Sequence, residues 1–215
     1  MKLYGQKKAE RIIQRYADWL DALSGQYRIP AACIKAILYK EITEIDVFDI
    51  LADLAVKGYW LRYSLRQKLG FQNPLPLLRC GIFGKRDSST GYAQIFAYVG
   101  INAINFALDR RLSDGERLQI PSDHRLRPDD PDDLRMIWTR LHQEPSFNLE
   151  LATLNLLAAA EEMTGRIDFG GYTAEELKLV LTRYNADVKY ITKYGEAAYQ
   201  HYLRYSKTSS KRESE

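Results

Sequence analysis

Apolar residues recur every three or four positions along most of the chain, a spacing typical of amphipathic helices. The first such segment covers residues 6 to 23, and Gly25 marks its predicted end. A second helix is predicted to follow Pro30, which stands where a first-turn proline would, and to run to about Ile45. The chain is therefore expected to open with two helices joined by a short turn.

Residues 46 to 69 keep the helical spacing, although Gly58 weakens the middle of the segment. This pattern predicts one broken helix or two short ones. Prolines and glycines then interrupt the spacing between Gly70 and Ser89, which favours turns over regular structure. We expect a long irregular connection there, with room for a small β-hairpin in residues 70 to 90.

The second half of the chain predicts further helices separated by polar loops. One helix spans about residues 91 to 108, and residues 112 to 131 follow as a loop rich in proline and aspartate. Asp130 and Pro131 then form a strong start signal for a helix that runs through Leu141.

Three more helices are predicted toward the C-terminus. Asn148 can cap a nearly all-apolar helix that ends at Gly165, and its composition predicts a buried position. Thr173 and Glu176 match a capping box at the start of the next helix. The last helix is expected over roughly residues 188 to 205.

These elements predict a mainly α protein, because no strand pair and no repeat of fixed period stands out. We expect a single helical domain with long loops over residues 1 to 205. Residues 206 to 215 are polar throughout and are expected to form a disordered tail. A hydrophobic fraction of 46% over 215 residues is enough for one substantial core.

Composition narrows the classes of function. Lys and Arg number 31 against 28 for Asp and Glu, and the basic residues are scattered, so nucleic-acid binding is disfavoured. The two cysteines, Cys33 and Cys80, form no CxxC motif or Cys/His cluster, and we predict no metal and no cofactor. A disulfide between them is left open. The N-terminus lacks the apolar core of a secretory signal, and no stretch reaches transmembrane length.

One carboxylate falls on an apolar helix face. Glu41 lies three residues after Leu38 and four before Ile45, so it shares their inward face. An ionised carboxylate there loses hydration, which raises its pKa and favours the protonated form. A carboxylic acid that keeps its proton near neutral pH is what cleavage of a glycosidic bond requires. The alternative is that Glu41 pairs with a basic residue at the edge of the core.

Three segments in order, KAILYKEIT, DSSTGYAQIF and LTRYNAD, resemble the motif series of the lysozyme-like superfamily, especially soluble lytic transglycosylases and goose-type lysozymes. In that family a helix ends at the catalytic glutamate, a Gly-Leu-Met-Gln loop lines the cleft, and a Tyr-Asn-Ala-Gly segment closes the site. The resemblance covers about residues 34 to 205. It implies a lysozyme-like helical fold that cleaves the MurNAc-GlcNAc strands of peptidoglycan.

The resemblance also implies roles for individual residues. Glu41 resembles the general acid, and Gln94 resembles the glutamine that lines the sugar-binding groove. Tyr184 and Asn185 resemble the tyrosine and asparagine near that acid, and Tyr92 stands beside Gln94 as a further substrate-binding residue. Gln94 can donate and accept hydrogen bonds toward an acetamido group, and the Tyr184 hydroxyl can hold a carboxyl group. The alternatives are an exposed loop amide and a core tyrosine.

The sequence departs from the family pattern at several points. Ile42 replaces the usual serine after the acid, Tyr92 and Ala93 replace Leu-Met, and Asp187 replaces the glycine of the last motif. The interval between the acid and the glutamine is longer than in the family, which implies an inserted helical segment at about residues 47 to 80. We expect a divergent member in which this insertion reshapes the cleft.

The type of reaction depends on a second carboxylate. Hydrolysis with inversion needs one to activate water, held ~6.5 to 9.5 Å from the acid, whereas a lytic transglycosylase uses a hydroxyl group of the sugar itself. Asp87, on the Ser-rich loop before GYAQ, is the first candidate, because goose-type enzymes resemble this chain in having an aspartate there. Glu44, one helical turn after Glu41, is the second candidate. The alternative for Asp87 is a turn or cap residue. Asp46 and Asp49 are predicted to be helix-surface residues.

These observations predict a peptidoglycan-cleaving enzyme, either a muramidase or a lytic transglycosylase. Because the N-terminus carries no export signal, we expect synthesis in the cytoplasm and action in the periplasm or cell wall of a target bacterium. The chain would then be an antibacterial effector, with a cognate immunity protein as partner, or an endolysin released on lysis. The alternative is a non-catalytic lysozyme-like module that binds glycan or a protein partner through an aromatic cleft, for which 15 Tyr and 3 Trp supply rings.

Overall fold

The computed structural model describes residues 2–70, 86–120 and 125–212, with side chains up to residue 207. Within these ranges the chain forms ten helices, and extended backbone pairs only at two isolated bridges. The predicted mainly α class is therefore confirmed. The helices in chain order are α1 (Gln6–Arg15), α2 (Ala17–Tyr27), α3 (Ala31–Glu44), α4 (Val47–Lys68), α5 (Ala97–Asp109), α6 (Gly115–Leu118), α7 (Pro131–Gln143), α8 (Pro145–Thr164), α9 (Ala174–Asn185) and α10 (Lys193–Arg212).

The first predicted helix is two helices in the structure. α1 and α2 meet at Tyr16, whose backbone leaves the helical conformation. α2 then continues through Gly25, so the predicted stop at that glycine is wrong. The helix ends at Tyr27 because Arg28 adopts the left-handed conformation, with φ of 53°, and donates its N–H to the Ser24 carbonyl.

The segment predicted to be an insertion contains one continuous helix. α4 runs for 22 residues through Gly58, so neither predicted form of interruption occurs. A capping box fixes its start: the Asp46 side chain accepts the Asp49 N–H, and the Asp49 carboxylate accepts the Asp46 N–H at 2.8 Å. Val56 and Trp60 are buried on the inner face of α4 and attach the helix to the rest of the protein.

Several predicted helix ends are confirmed. Asp130 caps α7, and Pro131 is its first residue. Gly165 closes α8 in the left-handed conformation, with φ of 74°. Thr173 and Glu176 form the predicted capping box at the start of α9. In each case the helix end is predictable from the sequence, because the capping residue and the helix terminus that it caps are close in the chain.

Two helices differ from their predicted bounds. α5 begins at Ala97 instead of about residue 91, because residues 91–94 form a turn. α10 begins at Lys193 instead of about residue 188 and continues to Arg212, past the predicted end at residue 205. The first part of the predicted disordered tail is therefore helical, since nothing in that polar stretch breaks a helix.

α8 lies at the centre of the helical core. It packs against α2, α3, α5, α7 and α9, and most of its side chains are buried, as its composition predicts. α8 begins at Pro145, however, so the prediction that Asn148 caps it is wrong. Asn148 is completely buried inside the helix. α3 packs on α1, α2 and α10, and it also contacts the central helix α8.

Cys33 is a buried free thiol in α3, and burial raises its pKa. Cys80 lies outside the described residues, and so does the disulfide that the sequence leaves open. Most of the predicted hairpin region also lies outside them, although Thr90 and Ile95 form an antiparallel bridge directly after it. Among the helices that the structure describes, none combines the length and apolar character needed to cross a membrane.

Candidate active site

A cleft of about 720 Å³ opens where the end of α3, the start of α4 and the turn before α5 meet helices α5, α8 and α9. Five residues predicted from the sequence line it, namely Glu41, Glu44, Gln94, Tyr184 and Asn185. Two others, Asp87 and Tyr92, are not among its lining residues. The three motif segments, which are far apart in sequence, therefore contribute residues to the same cleft as Glu41.

Glu41 occupies the last turn of α3 and is partly exposed in the wall of the cleft. Burial raises the pKa of Glu41 to about 7, while a hydrogen bond from the Tyr194 hydroxyl to its Oε1 lowers that pKa. The nearby charge of Glu44 adds to the rise. At neutral pH the carboxyl group is thus divided between its protonated and ionised forms, as a general acid requires.

Tyr194 is a site residue that sequence reasoning missed. It lies in the first turn of α10 and donates a hydrogen bond to Glu41, the role expected for Tyr184. The Tyr184 hydroxyl instead donates to the carbonyl of Ala93 at 2.7 Å. Burial and the charge of Glu41 raise the pKa of both tyrosines well above its usual range, so both hydroxyls stay protonated donors.

Gln94 lies in a turn that forms another part of the cleft wall. The turn is closed by paired backbone hydrogen bonds between Thr90 and Ile95, and Gln94 itself has φ of 47°. Its Nε2 donates to the Gly91 carbonyl at 2.8 Å, and its Oε1 accepts from the Ser89 hydroxyl at 3.2 Å. One N–H and one lone pair of the amide remain for a ligand.

Asn148 holds this turn from the side of the core. Its Oδ1 accepts the Ala93 N–H at 2.9 Å, and its Nδ2 donates to the Thr90 carbonyl at 3.0 Å. Together with Tyr184, Asn148 therefore satisfies backbone groups that are buried in the turn. Gly91 has φ of 74°, and a Cβ there would lie 2.3 Å from Asn148 Nδ2, so only glycine fits.

A second set of hydrogen bonds ties the same turn to α4 and α7. The hydroxyls of Ser88 and Thr90 donate to the Asp53 carboxylate at 2.7 and 2.9 Å. Thr90 Oγ1 also lies 3.0 Å from His142 Nδ1, and the His142 ring stacks on Trp138 with centroids 5.0 Å apart. Helix α4 thus contacts the segment that carries the cleft glutamine.

Asp87, the first candidate for the second carboxylate, lies at the N-terminus of α5. Its two oxygens accept the N–H groups of Ala97 and Tyr98 at 2.9 and 3.0 Å. Burial raises its pKa to about 6, and these hydrogen bonds oppose the rise. This is the cap position that the sequence offered as the alternative to a catalytic role.

Glu44, the second candidate, lies at the edge of the cleft and is exposed. It forms an ion pair with Lys40 one turn earlier, and its Oε1 lies 3.9 Å from Lys2 Nζ. Asp46 and Asp49, predicted to be surface residues, line the cleft as well while forming the capping box of α4. The cleft is therefore rich in carboxylates near Glu41.

A second pocket of about 350 Å³ adjoins the cleft and shares Ile45, Asp49 and Gln94 with it. Tyr92 lines this second pocket, where its ring centroid lies 5.9 Å from that of Tyr16. The structure therefore separates Tyr92 from Glu41, whereas it places the exposed Asn185 in the same cleft as the acid.

No group of three or more His, Cys, Asp or Glu residues that could hold a metal ion occurs within 2–70, 86–120 and 125–212. Compared with known protein families, with curated proteins and with solved structures, the chain matches none of them. The case for a function therefore depends on the chemistry of the cleft.

Proposed function

We propose that the chain cleaves the glycan strands of peptidoglycan, with Glu41 as the general acid. The observation that carries the proposal is a carboxyl group with a pKa raised to about 7 in the wall of an open cleft. Such a group donates a proton at neutral pH, which an ordinary exposed glutamate does not. Gln94 and Asn185 in the same cleft supply amides suited to acetamido sugars.

The proton of Glu41 passes to the oxygen that joins two sugars, and the bond from that oxygen to the anomeric carbon breaks as positive charge develops on the sugar. Tyr194 holds the carboxyl group in one orientation through its hydroxyl. The same hydrogen bond stabilises the carboxylate that remains after proton transfer. Tyr194 is thus a positioning residue for the acid.

We favour the intramolecular reaction of a lytic transglycosylase over hydrolysis. Asp87 uses both carboxylate oxygens at the start of α5, and Glu44 is paired with lysines at the cleft edge. A hydroxyl group of the muramyl sugar then attacks the anomeric carbon, and the Glu41 carboxylate takes up the proton that this hydroxyl releases. The product ends in an anhydro ring, and no water is consumed.

Clearing of a suspension of purified sacculi tests the role of the acid. The wild-type chain is expected to clear it, and Glu41→Gln to slow clearing by a factor of about 10² to 10⁴. Glu116→Gln, an exposed change on α6, serves as the matched control and should keep full activity. Undiminished clearing by a folded Glu41→Gln variant would remove Glu41 from the mechanism.

Mass spectrometry of the released fragments decides between the two reactions. Transglycosylation yields anhydro ends, whereas hydrolysis yields reducing ends that are heavier by one water. Asp87→Asn is expected to keep activity per folded molecule if the sugar hydroxyl is the nucleophile, and to lose it if Asp87 activates water. Wild-type protein that binds sacculi without releasing fragments would instead indicate a non-catalytic glycan-binding module.

A further inference from the structure

Most of the exposed large apolar side chains among the described residues belong to α4 or directly follow it. Leu54 is 58% exposed, Leu61 63% and Leu65 51%. The outward apolar row consists of Ile50, Leu51, Leu54, Leu61, Leu65 and Leu69. We call this row, with Gly58 between its halves, the outer face of α4.

The outer face differs along its length: Ile50 and Leu54 also line the second pocket, beside Tyr92, whereas the leucines from Leu61 to Leu69 line neither of the two pockets described above. At 3.6 residues per turn its members fall within an arc of about 100° around the helix. Val56, Tyr59 and Trp60, which are buried against the protein, lie on the opposite side. α4 therefore has two apolar faces, and among the residues that the structure describes, packing against other helices buries only one of them.

Basic residues border the outer face on both sides. Lys57 lies along one edge and Arg62 along the other, and both are exposed. From Leu54 to Gly70 the sequence contains no acidic residue. The acids of α4 are confined to its N-terminal half, where Asp49 faces the cleft and Asp53 binds the turn before α5. From Leu54 onward the charges beside the outer face are therefore all positive, while Asp53 lies one turn before Lys57.

We propose that the outer face of α4 docks on the surface of an anionic phospholipid bilayer. A helix that presents a stripe of leucines bordered by cations lies in the interface, with its apolar side chains below the headgroups and its charges against the phosphates. α4 would lie parallel to the membrane plane and hold the domain there. Docking does not require Glu41 and is independent of the proposed reaction.

A second copy of the chain fits the same face less well. Two α4 helices paired along their leucine rows would set Lys57 and Arg62 of one copy against the same cations of the other, in either relative direction. No acidic residue of the C-terminal half of α4 is available to offset that repulsion. An anionic surface, in contrast, gains from both cations at once.

Vesicle co-sedimentation tests the proposal with the full chain. Vesicles of equal parts phosphatidylglycerol and phosphatidylcholine are expected to bind the protein, vesicles of phosphatidylcholine alone to bind it much less, and added salt to weaken binding. Leu61→Gln with Leu65→Gln should lower the partition coefficient at least about 100-fold. These leucines are exposed and Gln has a similar helix propensity, so the folded state should be preserved.

The charge contribution has a matched control. Lys57→Gln with Arg62→Gln should lower binding to anionic vesicles by about 20-fold at low salt. Lys7→Gln with Arg11→Gln removes the same charge from exposed positions on α1, where the apolar side chains are buried, and should change binding by less than about threefold. Sacculus clearing reports separately on Glu41, so failure of one proposal is distinguishable from failure of the other.

Three results would overturn the docking proposal. One is absence of binding to anionic vesicles at low salt. Another is equal loss of binding in the α1 and α4 charge variants, which would indicate attraction by net charge alone. The third is a wild-type dimer that dissociates on the double leucine substitution, since the outer face would then be occupied by a second copy.

Discussion

Glu41 links protonation to the stability of the fold. Its pKa is about 7 in the folded state against an ordinary value of 4.5, so the native protein holds the proton more tightly than the unfolded chain. The free energy of unfolding therefore falls as the pH rises between these two values. Glu41→Gln cannot ionise and should be more stable than the wild type by about 3 kcal/mol near pH 8. Urea unfolding should show no such gain near pH 4, and an equal difference at both pH values would contradict the assignment.

Tyr194 should control the pH range of the proposed reaction. Its hydrogen bond lowers the pKa of Glu41, so Tyr194→Phe should raise that pKa further and move the alkaline limb of kcat/KM to higher pH, by up to about one unit. We also expect kcat to fall, because the carboxyl group loses its fixed orientation. Tyr202→Phe, on the same helix, is the control. A loss of kcat with an unmoved alkaline limb would indicate a structural role only.

At the scale of elements, the turn that carries Gln94 requires a glycine at position 91. Gly91→Ala forces a Cβ to within 2.3 Å of Asn148 Nδ2 and 2.7 Å of the Leu141 carbonyl, at φ of 74°. Gly165→Ala has the same φ but open space around the new Cβ. We expect the first change to cost about 3 kcal/mol or more and the second about 1 kcal/mol in urea unfolding. Equal losses would show that backbone strain alone, and not the fit against Asn148, requires glycine.

Helix starts were predictable where the signal is local. Asp130 and Thr173 cap helices through N–H groups two or three residues away, so the sequence carries the whole interaction. The break between α1 and α2 was not predictable, because the apolar spacing continues across Tyr16. That residue contacts Tyr92, which is distant in the chain. We infer that tertiary contact, and not helix propensity, determines where the helix breaks.

In the candidate site too, residues with a local sequence pattern were predictable, and residues whose partners are distant in the chain were not. Glu41 was found because its spacing from Leu38 and Ile45 places it on an inward face. Tyr194 was missed because it is 153 residues from Glu41, and no local pattern distinguishes it from the other tyrosines of its helix. Asn148 resembled a helix cap, yet its amide binds backbone groups of the turn 55 and 58 residues earlier. Polar side chains inside an apolar helix can therefore serve a distant loop.

For the whole molecule, the contacts of α8 with five other helices predict one cooperative unit. Leu154 is fully buried in α8, so Leu154→Ala should lower the free energy of unfolding by about 2–5 kcal/mol. Far-ultraviolet circular dichroism and tryptophan fluorescence should then give coincident urea transitions in both proteins. Two separated midpoints would divide the chain into independent units.

The complete burial of Cys33 has a practical consequence. Alkylating reagents attack a cysteine only when its thiol is ionised and exposed to solvent. While α3 is packed, the Cys33 thiol is buried, and burial keeps it protonated by raising its pKa. In a Cys80→Ser background, the rate at which Cys33 becomes modified would thus report how often the native ensemble opens its interior. Alkylation of Cys33 would therefore measure the rate of the unfolding events that expose the core, without an added label.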